Sequence, residues 1–436
     1  MLALDFIREN TDLVKIAISD KGIGLDLDEF ITIDDERRAL IVQVDQFRQS
    51  QNEFNKKVQK LSGDERESAI NDMKALSNDL KDVEVNLKKV EKKWLDLYLM
   101  IPNIASDDSP VGEDEKSNIV VEKWGDKPVF DFEPKSHLEL VKSLDLADFE
   151  QGVKVSGFRG YYLKNEAAVL HFSLLFYAFK KMIEAGFAPM MTPTILKEFA
   201  LIGSGHFPFG KDDVYSLANT GKDAGGNVVG DELYLAGTSE PALLAYYADK
   251  TLKEGDLPVK VCGFSQCYRN EVGSYGKDVK GLYRIHEFMK VEQVVLCRDS
   301  VEESNKYLEE MRNISQEILK DLKLPHRVVQ ICTGDMGAGK YKMYDIETAM
   351  PVSRESGYGE THSDSNLTDW QSRRLNIKFE DKEGNKKYVY ALNNTVLASP
   401  RILIAILENF QTKEGTVKIP DVLKSYCGFD EIRPKN

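Results

Sequence analysis

Between residues 33 and 61, apolar side chains return every seven positions, at Ile33, Leu40, Phe47, Phe54 and Leu61, with Val44 and Val58 between them. A second run is Ala69, Met73, Leu76, Leu80, Val83, Leu87, Val90, Trp94, Leu97 and Ile101, stepping by four and three residues in alternation. That spacing predicts two helices meeting along a coiled-coil seam. Ser62-Gly63-Asp64 reads as the turn between them, so the helices fold back antiparallel. At a rise of about 1.5 Å per residue, each is on the order of 45 Å long. Ile101-Pro102 ends the second helix.

Residues 102–118 are rich in Asp, Ser, Pro and Gly and read as a linker. Beyond them the pattern shortens. Helices are predicted near 171–185 and 401–409. Strands are predicted near 233–236, 259–264, 288–296, 328–331 and 389–392. Strands and helices do not alternate regularly, which predicts an α+β domain with a largely antiparallel sheet. The expected division is an N-terminal domain, residues 1–110, carrying the arm at about 33–101, and a second domain, residues 111–436.

The net charge of −14 argues against a general nucleic-acid coat. Residues 31–101 hold 13 Lys/Arg and 14 Asp/Glu, so the arm is nearly neutral and the rest carries the charge. Screening leaves a local RNA contact open. Lys56, Lys57 and Lys60, and Lys88, Lys89, Lys92 and Lys93, are candidate phosphate contacts on the arm, although such clusters are more often a solvated face. Five cysteines without a Cys-x-x-Cys pair, and six scattered histidines, indicate neither a disulfide framework nor a zinc site. No apolar run reaches membrane-spanning length, and MLALDFIREN is too acidic for a secretory signal. A cytoplasmic protein is expected.

GDMGAGKY, residues 334–341, nearly matches a phosphate-binding loop. Tyr341 stands where a small hydroxyl is needed, and KYKMYDIET alternates as a strand instead of opening a helix. A glycine-rich turn between strands is the expectation.

Candidate chemistry concentrates in two stretches. FSQCYRNEVGSYGKDVKGLYRIHEFMKVE, residues 264–292, reads as two strands flanking a charged, Gly-rich loop, with Arg269 and Glu271 on one face and Phe288, Lys290 and Glu292 on another. That set offers a planar cation, carboxylates and an aromatic platform. Its bland counterpart is a salt-bridge ladder. In LNNTVLASPRILIAILE, residues 392–408, Pro400 opens a helix and Arg401 falls in its first turn, where guanidinium and helix dipole together favour an anion.

These stretches resemble the class II aminoacyl-tRNA synthetases, and within them the seryl-tRNA synthetase family. GFAPMMTP with Pro193 resembles the first class motif, used at a dimer interface. The two stretches above resemble the second and third, and LAGTSEPALLAYY the segment that holds serine. Each motif is degenerate alone; their order, together with the arm, is specific. The resemblance covers essentially the whole chain.

It implies an ATP-dependent serine–tRNA ligase acting on tRNA(Ser), with tRNA(Sec) as a second acceptor, working as a homodimer with Mg2+. Arg269 and Arg401 would be catalytic, on the α- and γ-phosphates. Asn270, Glu271, Phe288, Glu360, Thr361, His362 and Ser363 would complete the ATP site. Thr238, Ser239, Glu240, Arg269, Glu292, Asn393 and Thr395 would hold serine. Thr395 stands where the family usually has serine. The metal ligands implied are Glu360 and Ser363, with Glu355 as rival, because the spacing from Glu347 is about two residues longer than the family pattern. Alternatives are a non-catalytic paralogue and a carrier-protein aminoacylating relative. Retention of Arg269, Glu292 and Arg401 opposes the first. The arm, and cysteines without metal-ligand company, oppose the second.

Overall fold

The structure is a computed structural model describing residues 1–58, 61–218, 221, 224–226, 230–272 and 281–435. Lys60, and most of the Gly-rich loop between Glu271 and Gly281, lie outside the described residues. The chain divides into two compact units, Leu2–Pro102 and Asn103–Asn436, the latter with Met1.

The first unit opens with two short helices that the periodicity did not reveal, α1 (Leu4–Glu9) and α2 (Thr11–Asp20). The arm follows as α3 (Leu27–Val58, 32 residues) and α4 (Asp64–Met100, 37 residues). Seam positions are half-buried or buried along both helices, with Leu40, Val44, Leu80 and Val90 deepest. A two-helix seam cannot fully enclose its knobs, so partial exposure toward the tip is the geometry's own limit. Flanking ion pairs fix the register: Lys93 to Glu29 at 2.7 Å, Arg48 to Glu84 at 2.8 Å, Arg37 to Glu91 at 3.7 Å. At the base, Asp34 is buried, accepts from Trp94 Nε1 at 2.9 Å and is paired with Arg8.

Residues 103–118 are not a free tether. Asn103 is buried; its side chain donates to the carbonyls of Gly339 (3.1 Å) and Leu367 (3.0 Å), and its backbone N–H to Ala338 O (2.8 Å). Polar composition suggested a linker; these hydrogen bonds instead make the segment part of the second unit.

That unit is built on an eight-stranded sheet. In chain order its strands are β1 (Ile119–Trp124), β2 (Ala188–Met191), β3 (Val259–Tyr268), β4 (Glu287–Cys297), β5 (His326–Gln330), β6 (Lys342–Ala349), β7 (Tyr358–Asn366) and β8 (Tyr390–Ala398). Their spatial order is β1-β5-β6-β7-β8-β4-β3-β2. Every pairing is antiparallel except β2 with β3. Four helices matter for the site: α5 (Asn165–Glu184), α6 (Glu240–Ala245), α7 (Val301–Asp321) and α8 (Ser399–Asn409), the last running on from β8. The core side chains Val291, Val295, Leu392, Leu174 and Ile404 are essentially fully buried, joining β4, β8, α5 and α8 in one apolar cluster. Strand β7 had escaped periodicity because its residues, YGETHSDSN, are almost all polar.

The glycine-rich segment 334–341 is a turn between β5 and β6, and no helix follows it. Gly339 is required by packing: a Cβ there would lie 2.7 Å from the Trp370 ring. The phosphate-loop pattern is a coincidence of glycine spacing.

Candidate active site

Antiparallel strands β4, β8 and β7 place their central residues side by side, with Glu292 opposite Thr395 and Asn393 opposite Ser365. Over them lies a cavity of about 270 Å³. Its walls include Thr238, Glu240, Arg269, Glu271, Phe288, Glu292, Glu360, Thr361, His362, Ser363, Asn393, Thr395 and Arg401. The fold therefore brings together residues from widely separated stretches of sequence.

One cluster is acidic and hydroxylic. Glu240, at the start of α6, accepts from Asn393 Nδ2 at 2.8 Å and from Gln371 Nε2 at 2.7 Å. Burial opposes its charge, but Lys340 and His206 outweigh that and hold the carboxyl below its usual range. Glu292 behaves oppositely: burial raises its pKa although Lys290 Nζ lies 2.5 Å away. Lys290 also reaches Thr395 Oγ1 at 3.4 Å, which in turn donates to Glu292 Oε2 at 3.4 Å. Two carboxylates, an ammonium and a hydroxyl thus share one buried corner, with hydrogen-bonding capacity for a small polar molecule.

The second cluster is cationic. Arg401 sits in the first turn of α8, after Pro400. Its Nη1 donates to Glu360 O at 2.9 Å and lies 3.3 Å from the Glu360 carboxylate; its Nε donates to Tyr283 O at 3.3 Å. Arg269 donates from Nε to Gly237 O at 3.2 Å, and its guanidinium stands 5.4 Å from the Phe288 ring centre.

Expectations about five residues change. Strand β3 ends at Tyr268, and Glu271 has φ +53°, so the backbone turns before Glu271 instead of continuing the alternation. Its carboxylate still lines the cavity, fixed by Arg284 Nη1 at 2.9 Å. Asn270 faces away, its side chain donating to Asp212 O at 3.2 Å, and Ser239 is fully buried outside the cavity wall. Thr361 and His362 form wall, but their polar atoms are committed: Thr361 Oγ1 is 2.7 Å from Thr348 Oγ1, His362 Nδ1 is 2.8 Å from Thr361 Oγ1, and Nε2 is 3.0 Å from Val396 O.

Four wall residues with polar side chains were not among the site candidates: His206, Tyr283, Lys290 and Lys340. Lys290 was visible as the middle of an alternating trio. Lys340 is delivered by the very turn that imitated a phosphate loop. Glu355 is not in the wall, whereas Glu360 and Ser363 are, one bulge apart on β7. Asp345, opposite Ser363 on β6, has its pKa raised first by burial and then by Glu360. Acidic oxygens facing open cavity suit a hard cation shared with phosphate oxygens.

Burial also keeps histidines neutral. His171 is lowered to about 4 and His362 to about 3, and His206, His286 and His326 are lowered too, each chiefly by desolvation. Below pH 6.5 the unfolded chain binds protons that the folded one refuses, so stability falls with pH from about 6.5 toward 4. Each of the deeply buried rings, His171, His206, His326 and His362, contributes a slope of up to about 1.4 kcal/mol per pH unit. Thermal unfolding midpoints should drop steadily between pH 7 and 5, and His362→Gln should flatten that slope. A midpoint independent of pH over this range would contradict the assignment.

Similarity to known proteins agrees with the geometry. Residues 1–105 match the seryl-tRNA synthetase N-terminal domain, and residues 227–410 the class II tRNA synthetase core domain for G, H, P, S and T. The chain is 43% identical over 432 residues to a serine–tRNA ligase of Deinococcus radiodurans, covering 99% of each, and 41% identical over 434 residues to that of Treponema denticola, covering 99% and 100%. Among solved structures, it superposes on seryl-tRNA synthetase from Pyrococcus horikoshii complexed with ATP (TM-score 0.87, 35% identity, 100% of both chains). It also superposes on the cytoplasmic serine–tRNA ligase of Naegleria fowleri in complex with AMP (TM-score 0.83, 29% identity, 100% and 99%). With both domain models matched and relatives of this identity spanning the full chain, this protein belongs to the seryl-tRNA synthetase family.

Proposed function

We propose that the chain is a serine–tRNA ligase: it activates serine with ATP and transfers the seryl group to the 3′ end of tRNA(Ser). The observation that carries this is one cavity holding both the Glu240–Glu292–Thr395 corner and the Arg401–Glu360 cluster. In this reading Glu240 and Glu292 receive serine's ammonium, and Thr395 and Asn393 its hydroxyl. A site that hydrogen-bonds the hydroxyl rejects alanine, which would leave buried polar groups unpaired. Phe288 stacks on adenine and Glu271 accepts from its amino group. Arg269 binds the α-phosphate and Arg401 the γ-phosphate.

Serine's carboxylate attacks the α-phosphorus; the bond to the bridging oxygen breaks and pyrophosphate leaves with that electron pair. The nucleophile is already an anion, so no general base is needed. Positioning and charge neutralisation supply the rate. The 3′-hydroxyl of the terminal ribose then attacks the adenylate carbonyl and releases AMP. Glu360 and Ser363 would hold Mg2+, which when bound would add positive charge at the phosphates.

Glu360→Gln should therefore impair serine-dependent ATP–pyrophosphate exchange by roughly tenfold or more, while Glu355→Gln stays near wild type. The reverse ranking would move the metal site into the β6–β7 loop.

The reading also includes a homodimer. On α5, Val169, Phe172, Phe176 and Ile183 recur at helical spacing with exposed side chains, and Met191 (94% exposed), Ile195 and Phe199 flank the Pro193 motif. An apolar surface of that extent suits a second copy of the chain. No helix among the described residues is long and apolar enough to cross a membrane, and the reading assigns the protein to the cytoplasm.

A further inference from the structure

Tyr283 is a wall residue that the reaction above does not use. Its ring touches two guanidiniums: the Cζ of Arg401 lies 4.4 Å from the ring centre and that of Arg354 3.2 Å. Its carbonyl accepts from Arg401 Nε at 3.3 Å, and its hydroxyl donates to Glu360 O at 3.4 Å. Gly359 closes on the ring edge, since a Cβ there would stand 3.0 Å from Tyr283 Cε2.

Arg354 does not line the cavity; it belongs to the loop between β6 and β7. That loop is tied to the helix that bears Arg401. Glu408 on α8 is fully buried, and its Oε2 accepts from the backbone N–H groups of Val352 (3.0 Å) and Ser353 (3.1 Å). Desolvation works against its charge, but these N–H groups and His137 hold the carboxyl below its usual range. Asn409 adds a bond from Nδ2 to Ala349 O at 2.7 Å. One helix thus holds Arg401 at its start and, two turns on, anchors the loop that presses Arg354 onto the ring supporting Arg401.

We propose that Arg354 is a positioning residue for the polyphosphate end of the nucleotide site, acting through Tyr283 on Arg401. This rests on the ligase reading above, in which Arg401 meets the γ-phosphate. A guanidinium stacked on an aromatic face is held by the ring's quadrupole. A second guanidinium on the same ring adds positive potential where phosphate charge must be received. The consequence is selective: it concerns ATP, whose β- and γ-phosphates reach Arg401, and not AMP or serine.

Calorimetric binding of ATP and of AMP to the full-length protein, with exchange kinetics on the same preparations, tests this. Arg354→Ala should weaken ATP by about fivefold to tenfold while AMP affinity and the KM for serine stay within about twofold. Tyr283→Leu should reproduce that loss. Tyr283→Phe, which keeps ring and carbonyl, should lose less ATP affinity than Tyr283→Leu, and Arg354→Lys should recover part of the affinity. The double variant Arg354→Ala/Tyr283→Leu should be no worse than either single one, because both break the same contact. Unchanged ATP binding in folded Arg354→Ala, equal losses for ATP and AMP, or losses that multiply in the double variant would each overturn the proposal. Binding separates the two claims. A wild-type protein that binds ATP but exchanges pyrophosphate with no amino acid ends the ligase reading, and the ATP-to-AMP comparison still decides the role of Arg354. A wild-type protein that binds no ATP ends both.

Discussion

Arg401→Ala is expected to lower serine-dependent ATP–pyrophosphate exchange by roughly 100-fold to 1,000-fold, and Arg269→Ala by a similar factor. Arg401 lies in the first turn of α8, where the orphan N–H groups and the dipole already favour an anion. Its guanidinium is oriented by two backbone carbonyls, Glu360 O and Tyr283 O, so it arrives at the phosphate without reorganising. Arg269 is fixed in the same way by Gly237 O. Preorganised donors of this kind stabilise charge that develops only in the transition state, so truncation should act on kcat as well as on KM. Lysine should not rescue either position, because one ammonium cannot hold a carbonyl and a phosphate in the same plane. Circular dichroism and unfolding midpoints must match wild type for the kinetics to count. Exchange within about threefold of wild type in either folded variant would remove that arginine from the reaction.

Removal of residues 33 to 101, closed with a short flexible linker, should spare exchange and reduce tRNA charging by two orders of magnitude or more at low tRNA, roughly the loss expected when several phosphate contacts vanish. Within its own unit the arm is self-contained: its seam is shared between α3 and α4, and its ion pairs run between them or to the neighbouring short helices. Helices of 32 and 37 residues extend roughly 48 and 56 Å. Lys56, Lys57, Lys88, Lys89 and Lys92 are exposed along them, whereas Lys93 is engaged with Glu29. If the exposed lysines meet phosphate, charging should weaken as salt rises, and neutralising them should flatten that dependence. A folded, dimeric truncation that charges tRNA as well as the full chain would leave the arm as a spacer.

What could be read in the sequence followed the strength of local periodicity. The seam from Ala69 to Ile101 repeats without a break, and every interior position it named is at least half-buried. Strands with apolar runs were found, because VKVCGF and FMKVEQVVL alternate or cluster as buried strands do: β4 within a residue of both ends, and β3 at its start, although it runs on to Tyr268 past the expected end at residue 264. Strand β7 carried no such signal. Thr361, His362, Asp364, Ser365 and Asn366 are all buried there; Thr361 meets Thr348, His362 meets Val396 O and Asn366 donates to Ser304, partners remote in sequence that periodicity cannot anticipate. The turn at Glu271 was hidden for a related reason: a positive φ at a non-glycine residue is not signalled by its own propensity, and the Arg284 and Arg159 contacts of its carboxylate come from elsewhere in the chain. The turn of residues 334–341 was read correctly as a glycine-rich turn between strands, but nothing in its sequence signalled that it would bring Lys340 to the cavity. The cavity itself was foreseeable only as a set of residue types in a familiar order. The resemblance had sorted those residues into two sets; that Glu292, Thr395, Asn393 and Ser365 stand side by side follows from the register of β4, β7 and β8.

The central claim is that this cavity activates serine. It is tested most directly by ATP–pyrophosphate exchange with the purified full-length protein and each of the common amino acids in turn. Serine alone should support rapid exchange, with alanine and threonine lower by roughly 100-fold or more, as a site built around a hydroxyl and bounded by the Thr395 methyl requires. Exchange that fails with serine, or that runs faster with another amino acid, would contradict the account.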